Sequence, residues 1–152
     1  MGSVGRQEKL KVIVLDTHAL IMLALEPERL SRAASRAIRQ AEARDGMAIA
    51  SITLWEVALL IHERRIKVEG SAEAFLRHLS TRPGLHTLEL TAEIAALAYQ
   101  FGPEFPGDPA DRLIAATARA HGLQLVTKDQ RLQDCATGQN CGQTSEFPFS
   151  RL

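Results

Sequence analysis

The sequence predicts one α/β domain built on a parallel sheet. Three observations carry that reading. Strand-like apolar runs alternate repeatedly with helix-like runs, the pattern of crossover βαβ units. The first such run, "KVIVLD" (Lys11–Asp16), is apolar and β-branched without polar alternation, as a strand buried on both faces requires. The chain has 152 residues, a single-domain length, with no internal repeat and no linker-like stretch.

The elements follow in order. "THALIMLAL" continues from the first strand with helical character. "LSRAASRAIRQAEAR" (Leu30–Arg44) is a second helix with its charges on one face. "DGMAIAS" holds a turn and a short strand around Met47–Ala50. "TLWEVALLIHERR" (Thr53–Arg65) has helical periodicity: Trp55, Ala58, Leu59 and His62 share one face, and Val57, Leu60 and Ile61 widen the expected buried stripe. Its start, Thr53-x-x-Glu56, fits a capping box. "SAEAFLRHLS" is a helix closed by "RPG", "HTLEL" a strand of alternating pattern, and "TAEIAALAYQF" a helix capped by Thr91. "DPADRLIAATARAHG" (Asp108–Gly122) is a helix with Asp108 as N-cap, Pro109 in its first position and Gly122 as the terminating glycine. "LQLVTKD" is the last clear strand. Beyond Asp134 periodicity fades. Residues 1–10 therefore read as an N-terminal extension, 11–134 as the folded domain and 135–152 as a C-terminal segment, either an edge strand or a flexible tail.

Composition removes several function classes. The chain is 45% hydrophobic, enough for one core. Its formal net charge of +0 excludes coating of nucleic acid by bulk charge, while leaving room for a local basic rim. No apolar run approaches the roughly 20 residues of a membrane span. The N-terminus lacks the apolar core of a secretory signal, so the expected location is cytoplasmic. Cys135 and Cys141, with no histidines nearby, do not form a zinc site and read as free thiols in a loosely ordered tail. There is no P-loop, no D-x-D-x-[TV] run after the first strand, and no Ser or Cys nucleophile in a motif context.

Four acids stand at strand-to-helix junctions. Asp16 ends the first strand, Glu56 and Asp111 lie in the opening turns of their helices, and Asp129 follows the last strand. In a parallel sheet the carboxyl ends of the strands share one rim, where such folds bind ligands. Each acid taken singly can be a helix cap or a dipole partner. Taken jointly, carboxylates gathered on one rim repel and desolvate one another, and stay ionised when a cation neutralises them. An all-oxygen set favours Mg2+ or Mn2+. Such a site suits a phosphodiester or another phosphoryl substrate.

"VLDTHAL", "SITLWEVAL", "DPADRLIAATA" and "LVTKD", in this order and spacing, resemble the PIN-domain ribonucleases, and among them the VapC-like toxins of bacterial toxin–antitoxin pairs. The resemblance runs from about Lys11 to Leu132. It implies a three-layer α/β/α sandwich around a short parallel sheet and a Mg2+- or Mn2+-dependent endoribonuclease acting on RNA. Carried over by motif, it implies Asp16, Glu56, Asp111 and Asp129 as catalytic, metal-binding acids. Thr17 and Thr127 match polar positions that either orient a carboxylate or close turns. Asp108 takes an auxiliary role, as the cap that aims Asp111. A cognate antitoxin and a homodimer are further implications. The alternative is a PIN-like scaffold that binds RNA or protein without cutting. Members usually end in a short alternating strand, which "CATGQNCGQTSEFPFSRL" does not resemble unless "FPF" serves.

Three further features stay secondary. His18, beside Asp16, reads as a helix-start or packing residue, with substrate phosphate as the alternative contact. Arg112 reads as a solvated side chain. The basic cluster "HERRIK" (His62–Lys67) suits a helix C-terminus, with RNA contact as the alternative.

Overall fold

In the computed structural model, which describes residues 12–102, 105 and 108–138, four short strands alternate with helices. The strands are β1 (Ile13–Leu15), β2 (Met47–Ala50), β3 (Leu85–Leu88) and β4 (Gln124–Val126). The helices are α1 (Thr17–Leu25), α2 (Arg32–Glu42), α3 (Ser51–His62), α4 (Ala72–Ser80), α5 (Ala92–Gln100), α6 (Pro109–His121) and α7 (Gln130–Thr137), with a single 3-10 turn at Pro27–Arg29. The strands form one sheet in the order β3-β2-β1-β4, and every pairing is parallel. β1 and β2 are interior strands, which is why both are apolar without alternation and fully buried.

Side chains that alternate along the strands feed two cores. Val14, Ala48, Ala50 and Leu125 face Ile94 and Ala98 of α5, the alanines of α6, and Leu132 and Ala136 of α7. Ile13, Leu15, Met47, Ile49 and Val126 face Leu20 of α1, Ile38 of α2, Val57 of α3 and Leu79 of α4. The result is the expected α/β/α sandwich. Within the first core, Ala115, Ala116 and Ala118 of α6 are completely buried against a sheet face that itself offers Ala48 and Ala50.

Register fixes the rim. Leu15 pairs with Val126, so Asp16 and Thr127 emerge side by side, and the Asp16 amide donates to the Val126 carbonyl at 3.1 Å. At the opposite edge Gly46 and Gly84 open β2 and β3. The Met47 amide donates to the Gly84 carbonyl at 2.7 Å, and Gly46 holds φ +89°. The hydroxyls of Ser31, Ser71 and Thr91 and the carboxylate of Asp108 cap their helices, and Gly122 closes α6 with φ 63°.

Four expectations need correction. First, α3 starts at Ser51 because β2 runs into it without a turn. Thr53 thus lies inside the first helical turn, wholly buried, and the capping box does not form. Second, the face carrying Trp55 and His62 points outward. Trp55 is 59% exposed, while the sheet-facing side is set by Val57, which is fully buried and about 200° further round the helix. Third, the C-terminal boundary falls later than 134. α7 runs to Thr137, Cys135 and Ala136 pack into the core, and Gly138 closes the helix. Fourth, Cys135 is disulfide-bonded and buried rather than a free thiol in a loose tail.

Cys141, the edge-strand or tail alternative over 139–152, and the extension at 1–10 lie outside the described residues. No described helix is long and apolar enough to cross a membrane.

Candidate active site

Asp16 caps α1: its carboxylate accepts from the Ala19 amide at 2.7 Å and is hydrogen-bonded by Thr127. It is 6% exposed, and burial raises its pKa above the ordinary value more than those bonds lower it. Thr127 also accepts from the Asp129 amide at 3.1 Å, so one hydroxyl links the two acids of β1 and β4. Asp129 in turn caps α7 through the Arg131 amide at 3.0 Å and lies 3.7 Å from the Arg131 guanidinium.

α3 supplies the next acid. Glu56 is half-buried and accepts a short hydrogen bond from the Thr17 hydroxyl, which also lies 3.4 Å from the hydroxyl of Thr53. Burial raises the Glu56 pKa, the Thr17 bond opposes it, and Asp108 and Asp16 add repulsion. α6 packs against α3 and presents two acids from its N-terminus. Asp108 caps the helix by accepting from the Ala110 amide at 3.0 Å. Asp111 lies three residues on. Burial first, then Asp108, Glu56, Asp16 and Asp129, push its pKa up to about 6.

One oxygen from each of Glu56, Asp108 and Asp111 falls within 4.8 Å of the others. That compact trio differs from the expected set in one respect. Asp108 was expected only as the cap; the structure gives it the cap and a place among the clustered carboxylates. The D-x-x-D spacing at a helix start carries that signal, because both residues flank the same free amides. Asp16 and Asp129 stand outside the trio but close enough for their charges to act on Asp111. Arg112 is partly buried and held by backbone carbonyls, not a freely solvated side chain. Its guanidinium donates to the carbonyls of Phe101 (2.8 Å), Gly102 (3.3 Å) and Phe105 (3.5 Å), and lies 5.3 Å from the centre of the Phe105 ring. It fastens the segment that leads into Asp108. His18 is exposed, so it does not pack into the core.

A family model described as the PIN domain matches residues 13–137. This chain belongs to the PIN-domain family. Ribonuclease VapC22 of Mycobacterium tuberculosis is 43% identical over 121 residues, covering 80% of this chain and 89% of that protein. This PIN domain also resembles a toxin-antitoxin complex from Klebsiella pneumoniae, with TM-score 0.53, 25% identity, and 77% and 86% of the two chains covered. A third likeness is to VapBC2 from Rickettsia felis, solved bound to a DNA fragment from their promoter. There the TM-score is 0.57 at 19% identity, with 78% and 88% covered, and the likeness carries the fold alone. The PIN domain described here is therefore a homologue of the VapC ribonucleases, with an acidic cluster at the carboxyl ends of its strands.

Proposed function

We propose that this protein is a divalent-metal-dependent endoribonuclease, the toxin of a toxin–antitoxin pair. The observation that carries the reading is the convergence of Glu56, Asp108 and Asp111 beside buried Asp16, in a chain 43% identical to a ribonuclease. The donor set fits a hard divalent cation: all its atoms are carboxylate oxygens, and burial first, with repulsion from neighbouring acids added to it, raises the pKa of Glu56 and of Asp111. Glu56, Asp108 and Asp111 would hold Mg2+ or Mn2+, with Asp16 and Asp129 completing the acidic surround. When bound, the ion supplies charge neutralisation and Lewis-acid stabilisation of the phosphate oxygens.

The chain's own residues do the rest. Thr17 aims Glu56, Thr127 holds Asp16 against Asp129, and the Asp108 cap fixes the helix start that positions Asp111. Water adds to phosphorus, a carboxylate takes its proton, the bond to the leaving oxygen breaks, and that oxygen takes up a proton from solvent. The toxin–antitoxin assembly of the Klebsiella relative supports an antitoxin partner for this chain. A homodimer is the assembly the family resemblance implies.

The test is cleavage of RNA with Mn2+ by wild type, Asp16→Asn and Asp111→Asn. Both variants are expected to fold and to lose cleavage. Double-mutant protein that cuts as fast as wild type would remove the assignment. Absence of both nuclease activity and a Mn2+-dependent rise in thermal midpoint in the wild type would favour the non-cutting scaffold.

A further inference from the structure

The carboxylate trio occupies the α3–α6 side of Asp16. On the opposite side, between α1, the start of α2 and the end of β4, is a cavity of about 40 Å3 lined by Asp16, His18, Met22, Ser31, Thr127 and Lys128. The rest of its lining, Ala19, Leu30, Ala34 and Val126, is apolar. Its basic side chains are His18 and Lys128. Lys128 is exposed and takes part in none of the ion pairs found among the described residues, because its neighbour Asp129 is engaged by Arg131 and the α7 amides. His18 is exposed as well.

A polyanionic strand approaching this rim meets Asp16, Glu56, Asp108, Asp111 and Asp129. A cation held among them would neutralise the surroundings of the scissile phosphate, but the flanking phosphates would still need a route away from the acids. Lys128 and His18 mark that route.

We propose that Lys128 and His18 form a backbone-phosphate subsite, in which the ammonium and an imidazole N–H donate to the oxygens of a phosphate next to the cleaved linkage. The strand then leaves the acidic centre across the β4–α7 turn, and the contact is independent of base identity. This rests on the ribonuclease reading above.

The experiment measures binding of a fluorescein-labelled, single-stranded, mixed-sequence RNA 12-mer by anisotropy from 50 to 300 mM salt. Binding is read on the Asp111→Asn background to separate it from cleavage. Adding Lys128→Gln is expected to weaken binding about five- to tenfold and to flatten the slope of log K against log salt by about 0.7, the value of one lost phosphate contact on a single strand. His18→Gln, which keeps an N–H donor, is expected to weaken binding less. The thermal midpoint should stay at that of the background, since both side chains are exposed. In the otherwise wild-type chain, Lys128→Gln should raise KM and leave kcat nearly unchanged. An unchanged slope with Lys128→Gln, or no binding of the 12-mer at 50 mM salt, overturns the subsite. Wild-type protein that leaves the same 12-mer intact in Mn2+ counts instead against the ribonuclease reading, which separates the two failures.

Discussion

Thr17 donates its hydroxyl to the carboxylate of Glu56 across 39 positions of sequence, tying the first residue of α1 to the second turn of α3. The bond opposes the burial that raises the Glu56 pKa, so it helps keep that acid ionised and aimed. Thr17→Val preserves shape and removes the donor. Mn2+ affinity should fall about tenfold, as for loss of a partner that orients a metal ligand. Titration calorimetry checks this, and affinity equal to wild type would assign Thr17 to packing alone.

The pH dependence of the metal-free protein follows from Asp111, pushed up to about 6 by burial and its acidic neighbours, with Asp16 and Glu56 raised in the same direction. A carboxyl with a higher pKa folded than unfolded binds more protons in the folded state. Its contribution to stability is fully present below its unfolded value and is lost as pH rises through about 6. In chelator, the thermal midpoint should therefore receive a declining contribution from these acids between pH 4.5 and 7. Saturating Mn2+ should reverse the trend above pH 6 and release protons on binding, which calorimetry in buffers of different ionisation enthalpy detects. A midpoint that climbs across this range in chelator, as for carboxylates with depressed pKa, would contradict the prediction.

Asp108 invites a separation of its two roles. Asn caps as well as Asp, so Asp108→Asn should keep the bond to the Ala110 amide and leave stability near wild type while weakening Mn2+ binding. Asp108→Ala should lose both, with a stability cost of about 0.5–2 kcal/mol. Unaltered Mn2+ affinity in Asp108→Asn would return the residue to capping alone. Thermal melts with and without Mn2+ read both quantities at once.

Gly46→Ala should be destabilising by about 2 kcal/mol or more. The residue holds φ +89°, and a Cβ there would stand 2.6 Å from the Gly84 carbonyl oxygen, which is backbone and already accepts from Met47. Gly70→Ala provides the comparison: it has φ +77° but nothing within 4 Å, so it carries the conformational cost without the clash. The thermal midpoint of Gly46→Ala should fall several degrees below that of Gly70→Ala.

Much of this was legible in the chain. "VIVLD" announces an interior strand because nothing polar interrupts it, and the acid at its end lands on the rim because register leaves it no alternative. Gly122 and Asp108 bracket α6 through backbone chemistry that acts within a few residues. The less legible features depend on partners distant in sequence. The apolar residues of α3 run nearly all round the helix, so the pattern does not say that Val57 rather than Trp55 meets the sheet. Thr53 looks like a cap until β2 is seen to enter α3 directly. Arg112 next to an acid reads as a surface charge, because the carbonyls it fastens belong to the loop after α5. Asp108 satisfies a capping rule so well that its second role is visible only once α3 brings Glu56 beside it.

The buried alanines of α6 set a distance as well as fill a core. Ala115, Ala116 and Ala118 are fully buried in the core that also holds Ala48 and Ala50, so this stretch of the helix puts little bulk between itself and the sheet. That closeness decides how far Asp108 and Asp111 reach toward Glu56. One added methylene at Ala115 would lever the helix outward and pull two acids away from the third, with no acid changed. The spacing of the charged cluster is thus a dimension written in the smallest apolar side chains of the protein, and selection on one bears on the other.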